Sequence, residues 1–170
     1  MNSNKNLVFL GMMGSGKSSI GNLVSKKLNL PFIDIDSLII ENTGMSISEI
    51  FNSKGEGYFR NLEEKITLKS LKKNKSVISL GGGGFLNTKI REEILANHFS
   101  FWLNWEESIL IKRIKDSEKR PIAFKSTNLE ISAIIKKRSK IYTNAQFKVD
   151  CNKLTKTKIV QKVIKIYELN

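Results

Sequence analysis

The sequence predicts an α/β fold: a five-stranded parallel sheet with helices on both faces. Three observations carry this. Short apolar runs alternate with segments of helical period. The first apolar run leads into a glycine-rich loop, which opens onto the first helix. Nothing in the 170 residues reads as a linker, a repeat or a low-complexity tract, so residues 1–170 are expected to form a single domain.

In order, NLVFL at 6–10 reads as a buried strand. A helix follows from Lys17 to Leu28, with Ile20, Leu23, Val24 and Leu28 at helical spacing. Residues 32–35 form the second strand, and Ser46 to Glu49 has the spacing of a capping box that starts a short helix. Residues 57–72 read as a helix, with Phe59, Leu62, Ile66 and Leu68 near one stripe. Strands are expected at 76–80 and 99–103, helices at 106–115 and 129–143, and a short strand at 147–149. Thr155 caps a last helix over 156–168. The polar, lysine-rich stretch 116–127 has no clear period and is expected to be a mobile loop over the site. In such folds ligands bind beyond the carboxyl ends of the strands.

Composition narrows the class. With 40% hydrophobic and 26% charged residues this is an ordinary globular chain. No apolar run approaches the roughly 20 residues of a membrane helix, and the start MNSNKNLVFLG is no secretory signal. No membrane partner is expected, and a cytoplasmic location is. One cysteine, Cys151, excludes an internal disulfide and a Cys-rich zinc site; the lone His98 excludes a histidine cluster. The net charge of +13 raises the local concentration of an anionic substrate. The lysines are scattered and lack interleaved aromatics, so nucleic acid is not the expected partner. The chain has 24 Lys but only five Arg, at 60, 91, 113, 120 and 138. A chain so inclined to lysine uses arginine where a planar fork for carboxylate or phosphate is needed.

The loop GMMGSGKSS, residues 11–19, fits G-x-x-x-x-G-K-[ST] in full through Gly11, Gly16, Lys17 and Ser18, with Gly14 as an additional glycine. Its glycines let successive N–H groups point inward as an anion nest, and the helix N-terminus adds orphan donors and partial positive charge. Lys17 reaches toward β- and γ-phosphates, and the Ser18 hydroxyl is a Mg²⁺ ligand. In FIDIDSL the strand reading puts Asp34 and Asp36 on one side, about 7 Å apart at about 3.3 Å per residue. Two such carboxylates need a positive partner: Mg²⁺ beside Asp34 through water, or an acceptor hydroxyl oriented or deprotonated by Asp36. In SLGGGGFL, residues 79–86, glycines at a strand's carboxyl end mark close approach of the backbone to something.

Taken together, GMMGSGKSSIG, FIDIDSLI, GEGYFRNLEE, SLGGGGF, KRP at Arg120 and KRSKIY at 137–142 resemble the shikimate kinase family, a group of small P-loop kinases similar to nucleoside-monophosphate kinases. The resemblance runs from Leu7 to about Val149. It implies transfer of the ATP γ-phosphoryl group to the 3-hydroxyl of shikimate, with Mg²⁺ as cofactor. By the same resemblance, ATP is held at Gly14, Ser15, Gly16, Lys17, Ser18 and Ser19, with Arg113 stacking on adenine and Arg120 closing over the phosphates from the loop. Lys17, Asp36 and Arg120 are the implied catalytic residues, and Ser18 and Asp34 the implied metal ligands. Arg60 and Arg138 grip the substrate carboxylate. Gly81, Gly82 and Gly83 contact substrate through backbone, Glu63 orients the Arg60 side, and Phe51 and Phe59 wall the ring. Arg91 is expected at the surface, Gly84 to loosen the turn, and Tyr142 to fit the pattern structurally. DCNKLT, near 150–155, matches the family poorly and receives no adenine assignment. The implied partners are ATP and shikimate, and the implied state is a monomer.

A kinase of another hydroxylated acid, such as gluconate, would carry the same loop. FIDID, the glycine run and Arg138 favour shikimate. A regulatory GTPase is disfavoured, because neither N-K-x-D nor D-x-x-G occurs.

Overall fold

The computed structural model describes residues 4–116 and 126–170. Strands β1 (Leu7–Leu10), β2 (Phe32–Asp34), β3 (Val77–Ser79), β4 (Phe99–Asn104) and β5 (Phe147–Asp150) form one sheet in the order β2-β3-β1-β4-β5. All four neighbouring pairs are parallel. Leu7 stands beside Val77 on one side and Phe99 on the other, so β1 is central.

Alternation along β1 sorts the core into two layers. Leu7 and Phe9 face α1 (Lys17–Leu28) and α7 (Lys156–Glu168), meeting Ile20, Val24, Ile159 and Val163. Val8 and Leu10 face the other layer. That layer is built by α2 (Ile35–Thr43), α3 (Ile47–Leu71), α4 (Thr88–Asn97), α5 (Glu107–Lys115) and α6 (Asn128–Tyr142). Side chains buried this completely contribute about 1.5–3 kcal/mol each through removal of apolar surface from water. A sheet covered on both faces leaves its carboxyl edge as the open place, and the loops after β1, β2, β3 and β4 meet there.

Three expectations change. The second strand stops at Asp34, not Ile35. Asp34 is the N-cap of α2, its side chain accepting from Ser37 N–H at 3.0 Å, and Asp36 lies in the first helical turn. The two carboxylates therefore do not follow strand alternation. Second, the capping box at Ser46 is present, but the short helix runs into the next one. The two are separated only by a kink at Gly55, whose φ of 81° and ψ of 168° are not helical. Third, α4 has no counterpart among the expected elements. Asn87 caps it, and Ile90 and Ile94 bury one stripe. Helix α5 starts one residue later and α6 one residue earlier than expected. The Thr155 cap is as expected, its side chain accepting from Lys158 N–H. Most of the stretch 116–127, with Arg120 in it, lies outside the described residues.

Candidate active site

The anion loop follows β1 directly. Gly11, Gly14 and Gly16 hold φ values of 141°, 78° and 89°, a region that side chains with a Cβ rarely adopt. Gly16 is the N-cap of α1, so the helix opens straight from the loop. Lys17 is buried, and its ammonium donates to the carbonyls of Gly11 at 3.0 Å and Met12 at 2.9 Å. Ser15 is buried and Ser19 half-buried, whereas Ser18 is exposed. The Ser18 hydroxyl lies 3.4 Å from the Ser79 hydroxyl at the end of β3. Asp34 pairs in register with that same Ser79. An all-oxygen set of two hydroxyls and a carboxylate suits a hard cation such as Mg²⁺. Among the described residues there is no cluster of three or more His, Cys, Asp or Glu that could hold a metal ion by itself.

The glycine run after β3 is where the second half of the site converges. None of Gly81 to Gly84 has a positive φ, so their lack of a side chain serves space rather than backbone conformation. A Cβ at Gly81 would stand 2.5 Å from Glu63 Oε1 and 2.7 Å from Asp36 Oδ1. One at Gly83 would stand 2.5 Å from Arg60 Nη1. The Gly82 carbonyl accepts from Arg138 Nη1 at 3.1 Å and from the Tyr142 hydroxyl at 2.6 Å. Asp36 from α2, Arg60 and Glu63 from α3, and Arg138 from α6 thus gather around one short backbone segment. Phe51 and Phe59 lie beside Arg60, with ring centroids 4.7 Å apart. The Arg60 guanidinium carbon sits 5.1 Å from the Phe59 ring centroid.

Electrostatics hold these groups in place. Glu63 is buried, with Oε2 accepting from Arg60 Nη1 at 2.7 Å. Its Oε1 is buried and has no hydrogen-bond partner among the described residues. Burial pushes the Glu63 carboxyl above the ordinary carboxylate range, and Arg60 draws it part of the way back. Burial also acts to lower Arg60, but the Glu63 and Glu56 carboxylates outweigh it and hold the guanidinium above its ordinary value. Burial raises the Tyr142 hydroxyl to about 12, so it remains a donor at neutral pH.

Several expectations are refined. Besides the role expected of it, Arg60 forms ion pairs on its own helix face, with Glu63 and, at 3.1 Å, with Glu56. Glu64 pairs with Lys89 and accepts from Asn87 Nδ2. Arg91 is more than surface: Nη1 donates to the carbonyls of Phe85 and Leu86, fixing the turn after the glycines. Gly84 does not loosen that turn. Its N–H donates to Gly81, and Gly84–Leu86 forms a 3-10 turn.

Arg113 comes to the other end of the anion loop. Its Nη1 donates to the Gly14 carbonyl at 3.4 Å, and its guanidinium carbon lies 3.8 Å from the Trp105 ring centroid. Trp105 lies in no motif, and Ser79, although it opens SLGGGGF, was not among the expected site residues. Only the register of β2 on β3 and a contact across 90 positions of sequence reveal them.

Comparison with known proteins shows the family. A family model described as shikimate kinase matches residues 13–168. The shikimate kinase of Thermodesulfovibrio yellowstonii is 37% identical over 165 residues, which cover 96% of this chain and 95% of that protein. The crystal structure of shikimate kinase from Aquifex aeolicus superposes with a TM-score of 0.85 at 34% identity, covering 96% of each chain. The shikimate kinase of Acinetobacter baumannii, solved in complex with shikimate, shares the fold at a TM-score of 0.91 and 24% identity, covering 98% of this chain and 94% of that one. With a family model matching residues 13–168 and a relative 37% identical over nearly the whole of both chains, this chain belongs to the shikimate kinase family.

Proposed function

We propose that the chain transfers the γ-phosphoryl group of ATP to the 3-hydroxyl of shikimate, giving shikimate 3-phosphate. The observation that carries this reading is the convergence of Asp36, Arg60, Glu63 and Arg138 on Gly81–Gly83, at the same sheet edge as the anion loop. A ring bearing one carboxylate and three hydroxyls needs both guanidinium forks and acceptors, and this pocket supplies both.

The loop from Gly11 to Ser18, with Ser19 behind it, binds the triphosphate through backbone N–H groups, and Lys17 turns its ammonium to the β- and γ-phosphates. Arg113 offers its guanidinium to the adenine end, and Arg120, in the family's KRP motif, neutralises charge on the transferring group. Arg60 and Arg138 fix the substrate carboxylate. Gly81–Gly83 let the ring approach the backbone, and Phe51 and Phe59 limit its slide. Glu63 Oε1, which has no hydrogen-bond partner among the described residues, accepts a substrate hydroxyl or an ordered water. Asp36 accepts the proton of the attacking hydroxyl and aims its lone pair at phosphorus. Ser18 and Asp34 would hold Mg²⁺, which when bound screens charge on the phosphates. Catalysis on this reading is positioning plus charge stabilisation.

We also read the chain as a monomeric, cytoplasmic, single-domain enzyme. Among the described residues the large exposed apolar side chains Leu23, Ile40, Tyr58, Leu129, Ile134 and Leu169 are spread over five segments, with only Leu129 and Ile134 sharing one. Among the described residues no helix is long and apolar enough to cross a membrane.

The test is ADP release with ATP and Mg²⁺ against shikimate, gluconate and nucleoside monophosphates. Shikimate-dependent release at least 10²-fold above the others is expected. Equal or greater release with gluconate or a nucleotide acceptor would sink the reading.

A further inference from the structure

Trp105 follows directly on β4, at the carboxyl edge of the sheet. Its indole N–H donates to the Ser15 carbonyl at 2.9 Å. Over its ring stands Arg113, 3.8 Å from guanidinium carbon to centroid, well inside the roughly 6 Å reach of a cation–π contact. The same arginine donates to the Gly14 carbonyl at 3.4 Å. One side chain therefore meets the anion loop directly and again through Arg113.

The direct contact fixes a direction. A peptide is planar and trans, so its C=O and N–H point opposite ways. The Ser15 carbonyl and the Gly16 N–H belong to one such plane, and the chain has no cis peptide among the described residues. Holding the carbonyl on the indole aims the Gly16 N–H away from Trp105. Gly16 is poorly able to hold this orientation itself, with φ at 89° and nothing within 4 Å of where a Cβ would stand. Trp105 is in turn fixed from below, packed against both apolar layers. The next residue's N–H donates to Asn152 Oδ1 at 2.8 Å, tying the start of α5 to the segment after β5.

We propose that Trp105 is a positioning residue of the nucleotide site: its N–H sets the Ser15–Gly16 peptide, and its ring holds Arg113 against the same loop, so that the donors are ordered before ATP arrives. This rests on the reading of residues 11–18 as the phosphate site. Trp105→Phe keeps a ring and loses the N–H; Trp105→Leu loses both contacts. In the full chain, calorimetry with MgADP and with inorganic tripolyphosphate, and the KM values of ATP and shikimate, separate the contributions.

Trp105→Phe should weaken MgADP and tripolyphosphate alike, by about three- to tenfold, the range for one lost neutral hydrogen bond. ATP KM should rise by a similar factor, and shikimate KM should move less than twofold. Trp105→Leu should weaken MgADP further. Unchanged MgADP affinity in folded Trp105→Phe overturns the proposal, as does an equal rise of both KM values, which is general loosening. If Trp105→Leu does not fold, Trp105→Phe decides alone. Weakened MgADP in the variants, together with a wild type that does not consume ATP with shikimate, would support the positioning role and refute the kinase reading, so the two fail separately.

Discussion

Gly81→Ala is the substitution with the sharpest expected consequence. The added methyl would lie 2.5 Å from Glu63 Oε1 and 2.7 Å from Asp36 Oδ1, where ordinary contact begins at 3.4 Å. Relief requires moving the first oxygen by about 0.9 Å and the second by about 0.7 Å. Glu63 cannot swing freely, since Arg60 holds its other oxygen at 2.7 Å. Overpacking of this kind costs about 1–3 kcal/mol. Gly81 has no positive φ, so the reduced entropy of the unfolded chain returns about 0.4–1 kcal/mol. Net destabilisation is therefore small, whereas a shift near 1 Å in groups that orient an acceptor can cost about 10²-fold in rate. The expected result is kcat/KM for shikimate lowered by about 10²-fold, with MgADP affinity unchanged and a melting temperature a few degrees lower. Gly84→Ala is the matched control, because its nearest neighbour is 3.6 Å away and it should retain activity. Wild-type turnover in Gly81→Ala, or equal damage from both substitutions, would refute close approach as the reason for the glycine.

Asp36→Asn should leave MgADP affinity within twofold and lower kcat by about 10²-fold or more, measured by coupled ADP release. Tyr142→Phe removes the 2.6 Å bond to the Gly82 carbonyl, which keeps Arg138; urea titration should show a loss of about 1 kcal/mol, and shikimate KM should rise. His98 is buried, with Nδ1 facing Asn6 N–H at 3.4 Å. Burial holds it below its ordinary value of 6.5, with Glu93 opposing and Lys5 assisting. A base depressed on folding leaves the unfolded chain binding more protons. Stability is thus full above about 6.5 and falls as pH drops through the folded value. Urea titrations in that window should show a slope that His98→Gln reduces.

The strands were legible because they are short apolar runs, and the anion loop because its residues are contiguous. The start of α2 was not. Ile33 and Ile35 suggest continued alternation, but a capping bond from Asp34 to Ser37 N–H ends the strand sooner. Helix α4 carried a usable signal in the Asn87 cap and the Ile90–Ile94 spacing, although its many polar residues mask the stripe. The glycine run was legible as a close approach. What approaches it, the Glu63 and Asp36 carboxylates and the Arg60 guanidinium, required the packing of α2 and α3. Trp105 was not legible at all, since a lone aromatic after a strand reads as core until its N–H is seen on Ser15.

The most direct measurement is a crystal structure of the chain with MgADP and shikimate bound together. The account predicts the β-phosphate within hydrogen-bond distance of Lys17 Nζ and the loop amides, and the shikimate carboxylate between Arg60 and Arg138 with its 3-hydroxyl on Asp36. A carboxylate seated away from both arginines, or a hydroxyl out of reach of Asp36, would contradict it.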